Sequence, residues 1–172
     1  MTPPDAGFVL ESSELIESEI AKVWEYVTNV DVAAHRHPAI FKALGVPRPL
    51  RAELKGTGVG STRTAWFDNQ KRFIQTVLEW KPPACFRFTF APDPGFRAGF
   101  VFDLSCGPFR IVEGWYRLAE VEANATQVTL GSRYFCSIHP IFIVPSMIRV
   151  VLRAYQSFLL RMIKSNCEGG AR

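Results

Sequence analysis

Several features are missing from this 172-residue chain, and each absence removes a class of function. The net charge is only +4, and no run of five or six Lys or Arg occurs. Nucleic-acid binding therefore has no electrostatic footprint, and RNP-like, zinc-finger and Gly-rich phosphate-loop patterns are absent as well. The four cysteines (Cys85, Cys106, Cys136, Cys167) include no C-x-x-C pair. They are too sparse for a disulfide framework, so free thiols in a reducing cytoplasm are expected. Met1-Thr2-Pro3-Pro4-Asp5 has neither a basic n-region nor an apolar h-region, so no signal peptide is expected. The most apolar stretch, Ile138 to Ile163, is broken by His139, Pro140, Pro145, Arg149, Arg153, Gln156 and Arg161. A spanning helix needs about 20 mostly apolar residues, so no integral membrane association is expected.

Hydrophobic residues, by contrast, make up 48% of the chain, and aromatics 13%, with 14 Phe. That predicts a globular protein able to bury a substantial core. Phe8 to Ile16 alternates loosely and predicts a first strand. Ser18 offers an N-cap, and Ile20, Val23, Trp24 and Val27 form one buried stripe of a short helix. Asp31 is positioned to cap a second short helix from Val32 to about Ala43, interrupted by Pro38. Strand chemistry then recurs over Leu50–Leu54, Ser61–Asp68, Arg72–Trp80, Phe86–Ala91, Ile111–Glu122 and Thr126–Ser137, with a short strand possible near Phe100–Leu104. Turn residues separate these runs, which points to an antiparallel meander. Last, Val144, Met147, Ile148, Val151, Leu152, Tyr155, Phe158, Leu159, Met162 and Ile163 recur at three- and four-residue steps, a long amphipathic helix whose other face carries Arg149, Arg153, Arg161 and Lys164. That basic face is expected to be solvated, with transient contact to anionic lipid headgroups as a further use.

The order is one strand, two short helices, a run of strands, then one long helix. A sheet with one apolar face must bury it, and only the last helix is long enough to cover it. In its Glu19-Ile20-Ala21-Lys22-Val23-Trp24-Glu25-Tyr26-Val27 helix, its Gly56-Thr57-Gly58-Val59-Gly60-Ser61-Thr62-Arg63 turn, its Leu78-Glu79-Trp80-Lys81-Pro82-Pro83 corner and its closing helix, the chain resembles the helix-grip superfamily (START, polyketide cyclase/dehydrase and birch-pollen-allergen-like proteins, SRPBCC). The resemblance implies an α+β domain over residues 1–172, with its core at about 7–168. About seven curved antiparallel strands wrap the C-terminal helix in this arrangement, with two short helices after the first strand. It also implies an internal cavity for a hydrophobic small molecule such as a lipid or polyketide, with no cofactor. The alternative it implies is a cyclase or dehydratase using the same cavity.

Strand parity nominates the lining. Phe86, Phe88 and Phe90 share a side, which must be inner, since an exposed row of three Phe would be adhesive. Either Trp66 or Phe67 can face in. Tyr116, Tyr134 and Tyr155 offer polar tips on apolar bodies, and Phe102, Met147 and Val151 extend the set. For catalysis the candidates are Arg63, Glu79, Asp103 and His139. Arg63 and Glu79 are each expected in outer-face ion pairs; an inward Arg would instead anchor an acidic or carbonyl ligand. Asp103 is a possible general base, and His139 a possible acid or base at a pocket mouth. His35 and His37, two residues apart on a predicted helix, point about 200° apart and make poor metal ligands, so no metal site is expected.

Overall fold

The computed structural model describes residues 7–100, 102–137 and 143–169, with side chains of the last segment described from residue 146 onward. Its elements are β1 (Gly7–Ile16), α1 (Ile20–Thr28), β2 (Val30–Asp31), α2 (Ala39–Ala43), β3 (Pro49–Lys55), β4 (Thr62–Phe67), β5 (Arg72–Lys81), β6 (Cys85–Thr89), β7 (Ala91–Pro92), β8 (Arg97–Ala98), β9 (Phe102–Asp103), β10 (Phe109–Glu122), β11 (Ala125–Cys136) and α3 (Ile143–Gly169). The main sheet runs β1-β11-β10-β6-β5-β4-β3-β2, with β7 added beside β5, and β8 and β9 form a separate small hairpin. The sheet has nine strands rather than about seven because the two-residue β2 and β7 join it. Every pairing is antiparallel, as short connections require.

Bulges shape this sheet. The register slips between Val77 and Glu79, between Ile111 and Glu113, and between Glu120 and Glu122. The extra residues, Leu78, Val112 and Val121, are exposed although apolar. A bulge bends its strand, tightens the twist and reverses the inward parity beyond it. On β5, Phe73, Gln75 and Val77 point in; after the bulge Trp80 packs with the core and Glu79 turns out. On β10, Phe109 is buried before the bulge, and Gly114, Tyr116 and Leu118 are buried after it. Gly114 is required there, since a Cβ would come within 2.9 Å of the rings of both Phe88 and Phe90.

Two sequence expectations near the short helices are corrected. Ser18 does not cap α1; Glu19 holds the N-cap position, and Ser18 is buried with its carbonyl accepting the Thr126 hydroxyl at 2.8 Å. The predicted helix from Val32 shrinks to Ala39–Ala43. Proline disfavours helical geometry in the residue before it, so the helix starts only past Pro38. Asp31 meanwhile belongs to β2, opposite Arg51, and its carboxylate accepts the Ala33 N–H.

Helix α3 lies along β1 and against α1. Its side chains cover the free edge of β1: Gln156 donates to the Leu10 carbonyl at 3.3 Å, and Lys164 to the Leu15 carbonyl at 2.8 Å. Leu160, Met162, Ile163 and Cys167 join Ile16, Val23, Val27 and Phe86 in one core cluster. A second cluster forms around Phe73, Phe96, Phe109 and Tyr134, against which Ile148 and Leu152 pack. Among the described residues no helix is long and apolar enough to cross a membrane.

Candidate functional site

Between sheet and α3 lies a cavity of about 440 Å³. Its floor comes from the inward faces of β4, β5, β6, β10 and β11, and its roof from α3 between Met147 and Ile163. Leu44 and Met147, 38% and 63% exposed, are among its walls, so the cavity opens on that side, between the loop after α2 and the first turns of α3.

The structure brings all nine sequence-nominated contact residues to this cavity. Phe88 and Phe90 come from the β6 edge, Tyr116 from β10 and Tyr134 from β11. Met147, Val151 and Tyr155 come from α3, and Phe102 from β9. Trp66 lies at the periphery, where the exposed Arg51 guanidinium stacks 4.6 Å from its ring. Phe67, the other aromatic of that pair, packs edge-on against Phe73 and Phe96 and also borders the cavity.

The polar groups are few and grouped. Arg63 is 4% exposed and inward-facing, the reverse of the outer-face ion pair expected for it. The residues of β4 alternate, and Arg63, Ala65 and Phe67 share the inner side. Its Nε donates to the Thr28 carbonyl at 2.9 Å, Nη2 to the Val27 carbonyl at 3.1 Å, and Nη1 to Gln75 Oε1 at 2.8 Å. The guanidinium also sits 5.5 Å from the Phe88 ring and 5.8 Å from the Phe86 ring. Arg63 thus ties down the C-terminus of α1, where unpaired carbonyls and the helix dipole favour a cation. Tyr116 stacks on Phe86 at 5.4 Å, the same ring that the Arg63 guanidinium approaches. Burial lowers the Arg63 pKa and raises that of Tyr116, while each opposes the other's shift.

A second polar group lies nearer α3. Gln156, 2% exposed, accepts from the Ser12 hydroxyl at 2.9 Å and donates to Ser132 at 3.5 Å. Tyr134 joins it through Ser132 and Gln156, and burial pushes its phenol up to about 12. Burial also pushes the Tyr155 phenol well above its ordinary range. The Tyr155 ring meets Phe41 edge-on at 5.6 Å.

Glu79 and Asp103 lie outside the cavity lining. Glu79 faces outward and pairs with Lys81 and Arg87, as expected; the Lys81 ammonium holds its carboxyl below the usual range. Asp103 accepts from the Ser105 hydroxyl and backbone N–H, which lowers its pKa, and it is not among the residues that line the cavity. His139 lies outside the described residues. His35 and His37 sit in the turn before α2 and contact Asn166 and the Val46 carbonyl at 2.8 Å each. No cluster of three potential metal ligands occurs among the described residues. Of the basic residues on α3, Lys164 is committed to Glu14 at 3.1 Å, whereas Arg149 lies 4.6 Å from the Phe8 ring.

Sequence reasoning missed Gln75, Ser132 and Gln156. Gln156 had a readable signal: it stands four residues from both Leu152 and Leu160, a polar residue inside an apolar stripe.

No protein-family model matches the chain, and no curated protein matches it. Solved structures do. A START superfamily protein from Mycobacterium smegmatis superposes with a TM-score of 0.61 at 9% identity, over 94% of this chain and 97% of that one. Ara h 8.0201 gives 0.59 at 11% identity, over 95% and 99%. DynU16, from the dynemicin biosynthetic locus, gives 0.55 at 18% identity, over 97% of this chain and 49% of that one. With the curled antiparallel sheet closed by its long C-terminal helix, these likenesses establish that the chain has the helix-grip fold.

Proposed function

We propose that this protein binds a small hydrophobic molecule in the cavity between its sheet and α3. The observation that carries this reading is the cavity itself: about 440 Å³, walled mainly by apolar side chains, with a small number of convergent polar groups. Ligand pockets typically span roughly 300–1,000 Å³ and have this composition. The structural neighbours add support at the level of fold, and one of them comes from a biosynthetic locus. A cyclase or dehydratase needs at least two ionisable or hydroxylic side chains converging in the cavity to move protons, and Arg63 and Tyr116 both line it. Glu79 and Asp103 do not line the cavity, so among the described residues no carboxylate base accompanies that pair, and binding is the reading put first. Four free cysteines fit a reducing compartment, and we place the protein in the cytoplasm as part of this proposal. The exposed Leu44 and Met147 at the opening suit transient contact with a lipid surface during exchange.

Titration with a neutral solvatochromic dye tests the reading. Saturable one-to-one binding with a blue shift is expected. Ala65→Phe, which places a ring in the cavity, should weaken it by about tenfold or more while leaving the fold intact by circular dichroism. A folded Ala65→Phe protein that binds the dye unchanged, or a wild-type protein that takes up neither dye nor lipid by native mass spectrometry, would overturn it.

A further inference from the structure

Arg63 raises a question of charge. A guanidinium has five N–H donors and stays protonated in proteins. Three of those donors are used, all on neutral acceptors: two main-chain carbonyls and the Gln75 amide oxygen. That leaves one N–H on each terminal nitrogen. The carbonyl end of α1 supplies only partial negative charge. The described cavity walls include no Asp or Glu. Arg63 is nevertheless 4% exposed, and buried cations are normally paired. The Arg63 guanidinium and the Tyr116 ring both pack against Phe86 and Phe88, and Tyr116 is only 5% exposed, so the two donors form one polar pole in an otherwise apolar wall. A cation held without a counter-ion, its spare donors beside a phenol, is preorganised for an oxygen anion.

We propose that the ligand carries an oxyanion, a carboxylate or phenolate, that seats against Arg63 and Tyr116 while its apolar body runs past Phe88 and Phe90 toward the opening. This rests on the binding reading above and names the class of ligand. The head group lies inward because Arg63 is tied to α1 at the closed end, whereas Leu44 and Met147 border the open side. The apolar body then replaces water along the aromatic walls, and the charge finds the one buried cation that lacks an anion among the described residues.

Dodecanoate and dodecanol share a tail and differ in the head group, so calorimetric titration of the full chain with each near neutral pH isolates the pole. Dodecanoate should bind at least about tenfold tighter. Tyr116→Phe should narrow that gap several-fold, and Arg63→Met should abolish it. Because Arg63 also caps α1, Arg63→Met can fail to fold, so a second measurement stands apart from it. Carbon-13 NMR of carboxyl-labelled dodecanoate reads the bound head group directly. Beside a cation its pKa falls below the value in water, whereas in a purely apolar pocket it rises. Equal affinities for the two probes, or a bound carboxyl titrating above its free value, would sink the oxyanion while leaving hydrophobic binding intact. The oxyanion is equally overturned if the dye binds and neither dodecyl probe does. If the dye fails as well, both proposals fall together.

Discussion

The two halves of α3 behave differently, although the same helical period runs through both. In the C-terminal half, Leu160, Met162, Ile163 and Cys167 are 1–4% exposed and lock against α1 and the sheet. Polar ties reinforce that end: Lys22 donates to the Cys167 carbonyl at 2.8 Å, and Asn166 to the Asp31 carbonyl at 2.7 Å. In the N-terminal half, Met147 and Val150 are 63% and 68% exposed, and Ile148 and Leu152 are only partly buried. A rigid rod can follow a curved sheet closely along only part of its length. Here the tightest contact is at the closed end, and the mismatch is left as the cavity, which opens beside Met147. The lesson is that an amphipathic stripe marks which face of a helix is apolar, not how tightly each turn is packed.

The largest effect that tests this contrast comes from truncation. Leu160→Ala should destabilise by about 2–5 kcal/mol in urea denaturation, as buried leucines do. Met147→Ala should change stability by less than about 0.5 kcal/mol, because little is buried there. Comparable losses at both sites would break the comparison.

Alkaline pH gives the next largest effect. Burial pushes the Cys167 thiol up to about 11, so the fold favours its neutral form. The unfolded chain loses that proton first. The thiol's contribution is complete below the ordinary thiol pKa and disappears as pH rises from there through about 11. Across that window the wild-type stability should fall more steeply than that of Cys167→Ala, by a slope approaching about 1.4 kcal/mol per pH unit. Parallel slopes would show that this thiol is not held as described.

Chemical access sharpens the same contrast. Iodoacetamide at mildly alkaline pH should modify the exposed Cys106 first, with Cys136 and Cys167 reacting only on unfolding; mass spectrometry of timed samples reads the order. Hydrogen exchange should likewise show slow amides at residues 158–166 and faster ones at 147–153. The smallest effect is electrostatic. Glu14→Gln removes the half-exposed partner of Lys164 and should cost no more than about 1 kcal/mol, diminishing in high salt.

Much of this was legible in the chain. The Phe86–Phe88–Phe90 alternation identified the inner face of β6, and the heptad-like stripe of α3 identified its apolar side. Glu79 outside and Tyr116 inside agree with the expectations, but strand parity alone does not give either position. Counting by twos along β5 puts Glu79 on the same side as Phe73, Gln75 and Val77, but the bulge at Leu78 turns it outward. The bulge at Val112 brings Tyr116 inward in the same way. Neither bulge carries a glycine or proline that would have announced it. The inward turn of Arg63 was hidden for another reason: two of its three partners are main-chain carbonyls of α1, which have no side-chain signature.

By itself the amino-acid sequence determined the order of elements, the antiparallel pairing of neighbouring strands, the apolar face of the last helix and the aromatic supply of the interior. These follow from periods of two and 3.6 residues and from local turn chemistry, which act over short stretches of chain. Only the tertiary structure decided which end of α3 is gripped, where the cavity opens, and that Arg63 and Tyr116 meet inside it. Those outcomes depend on bulges and on contacts between segments distant in sequence, where small shifts of register decide which side chains share a space.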